Sequence, residues 1–292
     1  MKRPQFIRTA AGVAAAAAVP SFASAQTSIG FERQIAAVEH RTGGRLGVAA
    51  LDTGTNRHIE YRAFEAFPMC STFKLLLAGA ILARVDAGKD RLGRTVPYSN
   101  HDLLDHAPVT TAHVADGGLT VRALCAAAIE ESDNTAANLL LATIGGPNGL
   151  NAFVRSLGDR ITQLDRTKPS LNEAAIGDPR DTTTPHAMSK DAQNLVLGSE
   201  LSKASRELLV SWLAAAQTGL SAIRAGIPAS WRAGDKTGSG ERGTRNDVAI
   251  LWPPGGAPIV VAAYLTGATA LDGDQRNDAL ASVGKIVTAA FS

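Results

Sequence analysis

The sequence predicts an α/β protein of the α+β type: a five-stranded antiparallel sheet covered by the N- and C-terminal helices, with an all-helical domain inserted in the middle. Three observations carry this. Strand-like stretches occur only near the two ends of the chain, two early and three late. The long middle has helical periodicity instead. A hairpin turn joins the early pair, which makes those neighbours antiparallel.

In chain order, residues 1–25 read as a secretory signal. Lys2, Arg3 and Arg8 give a basic start, an apolar run spans about Thr9 to Val19, and Ala23-Ser24-Ala25 forms a small-residue cleavage site before Gln26. The run is too short to cross a bilayer. No cysteine lies near the cleavage site, which argues against a lipid anchor, and the lack of an Arg-Arg pair favours the general export route. Ile29, Phe31, Ile35, Ala36 and Val38 then mark an amphipathic first helix ending near Gly43-Gly44. "RLGVAAL" and "HIEYRA" are strands with "DTGTN" as the turn between them.

From about Pro68, "STFKLLLAGAILARVDAG" is apolar on nearly every face and predicts a buried helix ending at Gly88. "LTVRALCAAAIEES" predicts a helix capped by Thr120, and "NTAANLLLATIGG" continues helically after a break at Ser132 to Asn134. Another helix covers Asn148 to Leu157. Residues 159–182 have no regular pattern, and irregular segments of that length inside a compact domain are often functional. "TTPHAMSKDAQNLVLG" and "SKASRELLVSWLAAA" restore helices. "WRAGDKTGS", "TRNDVAILW" and "PIVVAAYLTG" are the late strands, and a last helix starts near Asp274. The expected organisation is a discontinuous sheet domain of residues 26–64 and 214–292 around a helical domain of residues 65–213, with a groove between them as the natural place for a site.

Composition narrows the function. The formal net charge is +2, but three basic and no acidic residues fall within residues 1–25, so the remaining 267 residues carry −1. A near-neutral chain argues against nucleic acid as the main partner. His58, His101, His106 and His113 show no ligand spacing with the cysteines, so no metal or other cofactor is expected. An exported chain with two cysteines invites a disulfide, yet Cys70 opens one helix and Cys125 lies inside another.

Three motifs carry chemistry. Ser71 and Lys74 are three residues apart at the start of the buried helix, so their side chains share a face. A serine hydroxyl needs a base, a lysine of lowered pKa can supply one, and a helix start offers free N–H groups for an oxyanion. The spacing alone is weak: Ser282 and Lys285 repeat it in the last helix, where they read as surface residues. Ser132-Asp133-Asn134 interrupts two apolar helices, so its polar groups either cap a helix or point into a cleft. Lys236-Thr237-Gly238 lies on a strand whose glycine permits close approach of a ligand.

Together and in this order, S-x-x-K, S-D-N and K-T-G form a signature of class A β-lactamases and penicillin-binding proteins. "FPMCSTFK", "SDNTAANLLL", "IGGP", "LDR", "DPRDTTTP" and "GDKTGSGERGTRND" extend the likeness, and nearly the whole exported chain resembles class A serine β-lactamases. The resemblance implies an enzyme that hydrolyses the β-lactam amide through an acyl-enzyme on Ser71 and so confers antibiotic resistance. Lys74 would shuttle the proton of Ser71, and Ser132 would protonate the leaving nitrogen. Lys236, Thr237, Ser239 and Arg245 would hold the substrate carboxylate, and Asn134 its side-chain amide. The N–H groups of Ser71 and Ser239 would form the oxyanion hole. His106 would stand at the cleft mouth or be an ordinary loop histidine. Some relatives bridge the Cys125 position to the position of Ala78, others the Cys70 position to that of Gly240; both partners are missing here, which implies free thiols. The implied partner is a small-molecule β-lactam, met by a periplasmic or secreted monomer without a membrane anchor.

Residues 159–182 then resemble the family's Ω-shaped loop, with Arg166 and Asp181 pairing across its neck. One position departs from the pattern. The family has a glutamate before the loop proline, which with the asparagine at Asn172 holds the hydrolytic water; here that residue is Lys168. An ammonium has no site to accept a proton. As a base, Lys168 would need its pKa lowered from ~10.4 to near 7, and Lys74 and Lys236 as neighbours would push in that direction. Glu173 lies close in sequence, but relatives that keep the glutamate can also carry an acid there. The expectation is acylation with slow deacylation. The alternatives are an acyl trap that binds β-lactams with little turnover and a D-Ala-D-Ala peptidase, the latter opposed by the Ω-like loop.

Overall fold

The computed structural model of the protein describes residues 22–292, with the backbone alone over 22–29. Most of the export-signal reading therefore lies outside the described residues. Helix α1 (Phe22–Thr42) leads into β1 (Arg45–Asp52) and β2 (Arg57–Tyr61), then β3 (Phe67–Pro68) and the buried helix α2 (Phe73–Asp86). Next come β4 (Thr95–Pro97), α3 (Pro108–Ala112), β5 (Gly118–Thr120), α4 (Val121–Glu130), α5 (Asn134–Thr143) and α6 (Gly146–Ser156). The chain closes with β6 (Thr182–Thr183), α7 (Pro185–Leu197), α8 (Lys203–Ala215), β7 (Arg232–Gly240), β8 (Thr244–Trp252), β9 (Ile259–Thr266) and α9 (Gly273–Phe291).

The main sheet has the order β2-β1-β9-β8-β7, antiparallel throughout. Side chains alternate between its faces, as the period of a strand requires. Leu46, Val48, Ala50, Ala249, Leu251, Val261 and Ala263 pack with Phe31 and Ile35 of α1 and Leu280 and Val283 of α9. Val248, Ile250, Val260, Ala262 and Tyr264 face the other way, into the core of the helical region. Being apolar on both faces, β9 and the Val248–Trp252 half of β8 read as continuous hydrophobic runs.

At the centre of the helical region lies α2, whose residues Phe73 through Leu82 are all buried. It packs against α4, α5, α6, α7 and α8. A helix apolar on every side has no solvent face to present, so α2 can reach the site only through its first turn. Thr120 caps α4 by accepting from the Ala123 N–H at 3.2 Å. Thr120→Ala should lower stability by about 1 kcal/mol, read as a shift of the urea midpoint at unchanged m-value.

Three features escape the sequence pattern. Helix α3 is only five residues long, and the pairs β3–β6 and β4–β5 have two or three residues per strand. No periodicity can develop over such lengths. The pair β3–β6 nevertheless matters, because Phe67↔Thr183 and Pro68↔Thr182 tie the approach to Ser71 to the end of the irregular segment. That segment holds one 3₁₀ turn, Ser170–Asn172, and is anchored by the buried Leu164 and Leu171. Cys70 and Cys125 are free and buried.

Candidate active site

Ser71 sits in a 3₁₀ turn, Cys70–Thr72, that runs directly into α2. Cys70 takes a left-handed conformation, φ 47°, which a residue with a Cβ adopts only when its surroundings impose it. The surroundings here are specific. Asn246 of β8 donates to the carbonyls of Pro68 and Met69 at 2.8 and 3.1 Å. The Thr72 hydroxyl bonds the Met69 carbonyl and the Tyr264 hydroxyl. β7 passes close by: a Cβ on Gly238 would lie 2.8 Å from the Met69 oxygen and 3.1 Å from the Ser71 nitrogen. Glycine is what allows this approach.

Lys74 and Lys236 are wholly buried and converge on Ser132. The Lys74 ammonium donates to the Ser132 carbonyl at 2.6 Å, to Ser132 Oγ at 3.2 Å and to Asn134 Oδ1 at 2.8 Å. Lys236 reaches the same Ser132 Oγ at 3.0 Å and the Thr237 carbonyl at 2.9 Å. With both lone pairs of the Ser132 hydroxyl engaged, its proton is left to donate into the cleft. Ser132 has φ 55°, and the turn is held by Asp133, which caps α5 and accepts from the N–H groups of Val109 and Thr110. Among the described residues the Ser71 hydroxyl makes no hydrogen bond; Lys74 is committed to Ser132 and Asn134.

A cleft of about 370 Å³ is lined by Ser71, His106, Ser132, Asn134, Asn172, Thr218, Thr237, Ser239 and Arg245. Two larger cavities, of about 450 and 670 Å³, contain no serine, cysteine or histidine. Arg245 stands opposite Ser239 in the β7–β8 register and donates to its hydroxyl at 2.9 Å. Asn277 Oδ1 and the Thr218 carbonyl, each at 2.8 Å, orient the same guanidinium. Thr237 Oγ1 bonds Thr218 Oγ1 at 2.6 Å. The exposed His106 ring bonds the Glu131 carbonyl, and its own carbonyl accepts from Asn134 N–H at the start of α5. Ser282 and Lys285, which repeat the serine–lysine spacing, lie away from this site on α9, where Ser282 bonds its own helix at the Asp278 carbonyl.

Lys168 is 3% exposed. Its amine donates to Asn172 Oδ1. Its backbone is clamped by Asn138, one turn beyond Asn134 on α5: Oδ1 accepts from Lys168 N at 3.1 Å and Nδ2 donates to Lys168 O at 2.9 Å. Arg166 Nε donates to Asp181 Oδ2 at 2.6 Å, and Asp181 Oδ1 accepts from the N–H groups of Asp165 and Arg166. Glu173 turns outward to Arg166 and stays half exposed, so it offers no carboxylate to the cleft.

Burial governs the charges. It lowers the pKa of Lys74 well below that of a free lysine, and the charges of Lys168 and Lys236 lower it further. Lys236 falls to about 7 through burial, against the upward pull of Asp235. Lys168 falls to about 8, also through burial, while Cys70 and Asp181 oppose the shift. This corrects the expectation that the neighbouring lysines would lower Lys168; the repulsion is felt at Lys74 and Lys236 instead. Below pH about 8 Lys168 is protonated both folded and unfolded, and the fold bears the full cost of burying it. Between about 8 and ~10.4 the folded state loses its proton first, so stability from this residue rises with pH. Lys168→Met should therefore be more stable than the parent at pH 7, by a margin that shrinks from about pH 8 to 10. Thermal midpoints across that range would contradict this if the margin grew.

The comparisons with known proteins agree with this geometry. A family model described as "Beta-lactamase enzyme family" matches residues 30–291. The chain is 45% identical over 288 residues to β-lactamase CTX-M-8 of Citrobacter amalonaticus, covering 99% of this chain and 97% of that protein. With β-lactamase Toho-1 of Escherichia coli it shares 48% over 260 residues, 89% of each chain. The structure of an ancestral (GNCA) class A β-lactamase superposes with a TM-score of 0.88 at 59% identity, over 89% of this chain and 100% of the other. The chain belongs to the β-lactamase enzyme family and, within it, to the class A serine β-lactamases.

Proposed function

We propose that this protein opens β-lactam rings by acyl transfer to Ser71 and releases the product slowly because Lys168 occupies the place of a general base. The observation that carries this reading is the Ser132 hydroxyl held between the ammonium groups of Lys74 and Lys236, in the cleft that Ser71 lines. Ser71 Oγ attacks the lactam carbonyl. Lys74, readily neutral because it is buried, takes the proton directly or through Ser132. Ser132, whose own proton is free to donate, passes one to the leaving nitrogen. The developing oxyanion is stabilised by the N–H groups of Ser71 and Ser239. Lys236, Thr237, Ser239 and Arg245 receive the substrate carboxylate, Asn134 the side-chain amide through its remaining N–H, and His106 flanks the entrance. Asn172 positions the hydrolytic water, and Arg166 with Asp181 closes the loop that carries Lys168.

The same lysine favours a second reading, a covalent β-lactam trap with little turnover. Both readings place the protein outside the cytoplasm, supported by the export-type residues 1–25. Among the described residues no helix is long and apolar enough to cross a membrane. Incubation with a penicillin followed by intact-mass measurement tests the reading. A long-lived adduct of the penicillin's mass, mapping to the Ser71 peptide, is expected. Turnover without an accumulating adduct would remove the slow-release claim, and neither adduct nor turnover would remove acyl transfer altogether. Steady-state kinetics separates the enzyme from the trap.

A further inference from the structure

Three buried lysines stand behind the cleft, bonded to Ser132 and Asn172 of its wall, and no carboxylate lines it. None of its lining residues is acidic, and the nearby acids are committed elsewhere. Asp133 serves the backbone of α3 and α5, Asp181 pairs with Arg166, Asp235 pairs with Arg224 behind β7, and the buried Asp247 accepts from the Ile223 N–H. Lys74, Lys168 and Lys236 are close enough that the charge of Lys168 lowers the proton affinity of the other two. Lys168 makes no ion pair among the described residues, and its amine bonds only the neutral amide of Asn172. Burial leaves that amine readily neutral near pH 8, and a neutral, unhindered primary amine is the form that adds carbon dioxide.

We propose that Lys168 is a carbon dioxide-binding site, carried as a carbamate that supplies the cleft with the carboxylate its own residues lack. The inference rests on the acyl-transfer reading of Ser71 for its catalytic consequence, though not for the modification itself. The neutral Nζ gives its lone pair to the carbon of CO₂ and an N–C bond forms. One C=O π pair moves onto oxygen, and an N–H proton leaves to solvent. The side chain thereby becomes an anion, which raises the proton affinity of the buried Lys74 and Lys236 amines where a charged Lys168 lowers it. In a low-dielectric setting the attraction of those amines offsets the cost of burying the new anion. A flip of the Asn172 amide turns its NH₂ toward the new oxygens. The carbamate then accepts a proton from water as the water oxygen bonds the acyl carbon. The carbon–Oγ bond breaks, and the proton passes to Ser71.

The protein is to be equilibrated with [¹³C]bicarbonate at pH 8 and examined by ¹³C NMR, beside Lys168→Met and Lys168→Glu. A protein-bound carbamate resonance present in the parent and absent from both variants is expected. Penicillin turnover by the parent should rise about 10²-fold from CO₂-stripped to saturated buffer, while turnover by Lys168→Glu should not respond. No Lys168-dependent resonance at saturating bicarbonate overturns the site, and a resonance without any change in turnover overturns its catalytic role. Failure of the Ser71 adduct to form in either buffer would instead count against acyl transfer, leaving the resonance to decide the modification.

Discussion

Glutamate at position 168 is expected to raise penicillin turnover by about 10²–10⁴-fold, the usual worth of a positioned general base, and to shorten the life of the Ser71 adduct by the same factor. The argument is electrostatic. The Lys168 amine points at Asn172, which lines the cleft with Ser71. With a pKa of about 8 it is mostly protonated at pH 7 and has no lone pair for a water proton. A glutamate side chain is one atom shorter and brings two acceptor oxygens to the same place. It also sets a carboxylate beside the buried amines of Lys74 and Lys236, where the charge of Lys168 lowers their proton affinity. The Asn138 clamp acts on the backbone of residue 168, so the loop should accept either side chain. Acylation should change far less than release, because Ser71, Lys74 and Ser132 are untouched. Single-turnover mass measurements beside steady-state kcat separate the two steps. If release is no faster in Lys168→Glu, residue 168 does not stand where the hydrolytic water is activated.

The parts of this site that could be read from sequence are those written in short contiguous motifs. Ser71 with Lys74, the turn Ser132–Asn134 and the strand Lys236–Gly238 each announce themselves by residue type and spacing. What stayed hidden is how they are held. Asn246 fixes the carbonyls of Pro68 and Met69 from more than 170 positions away, and Thr218 and Asn277 aim Arg245 from two different segments. Such contacts have no local signature. Asn138 was the nearest to legible: a polar residue one turn after Asn134 in an otherwise apolar helix invites a partner, though the sequence does not say that the partner is the backbone of Lys168. The left-handed backbone at Cys70 and Ser132 is likewise imposed by packing, since neither residue type favours it. The direction of the Lys74 ammonium also belongs to the fold. Spacing places it on the Ser71 face of α2, but the buried acceptors that fix it come from the turn before α5.

Asp181→Ala should destabilise the protein by about 3 kcal/mol, near the low end of what breaking a buried ion pair costs. The side chain of Asp181 is almost wholly buried, and its two oxygens serve Arg166 and the N–H groups of Asp165 and Arg166. Truncation leaves those two N–H groups without their acceptor, a loss of about 1–3 kcal/mol for each that water cannot reach. The guanidinium is less stranded, because Glu173 and Asp178 remain beside it, and this holds the total below the upper end of the range. Asp181→Asn separates the contributions: its amide oxygen can still accept from the backbone, so it should cost clearly less than alanine. Glu173→Ala removes only a half-exposed partner and should cost less than about 1 kcal/mol. Because the Asp181 carbonyl also accepts from the Met69 N–H beside the β3–β6 pair, loosening it should be felt at the Ser71 turn as well as in the loop. Urea unfolding of the three variants gives the order, and hydrogen exchange should report faster opening of residues 163–172 in Asp181→Ala. If Glu173→Ala proved as costly as Asp181→Ala, the loop would be held from its exposed side, and the buried neck would lose its claim to position Lys168.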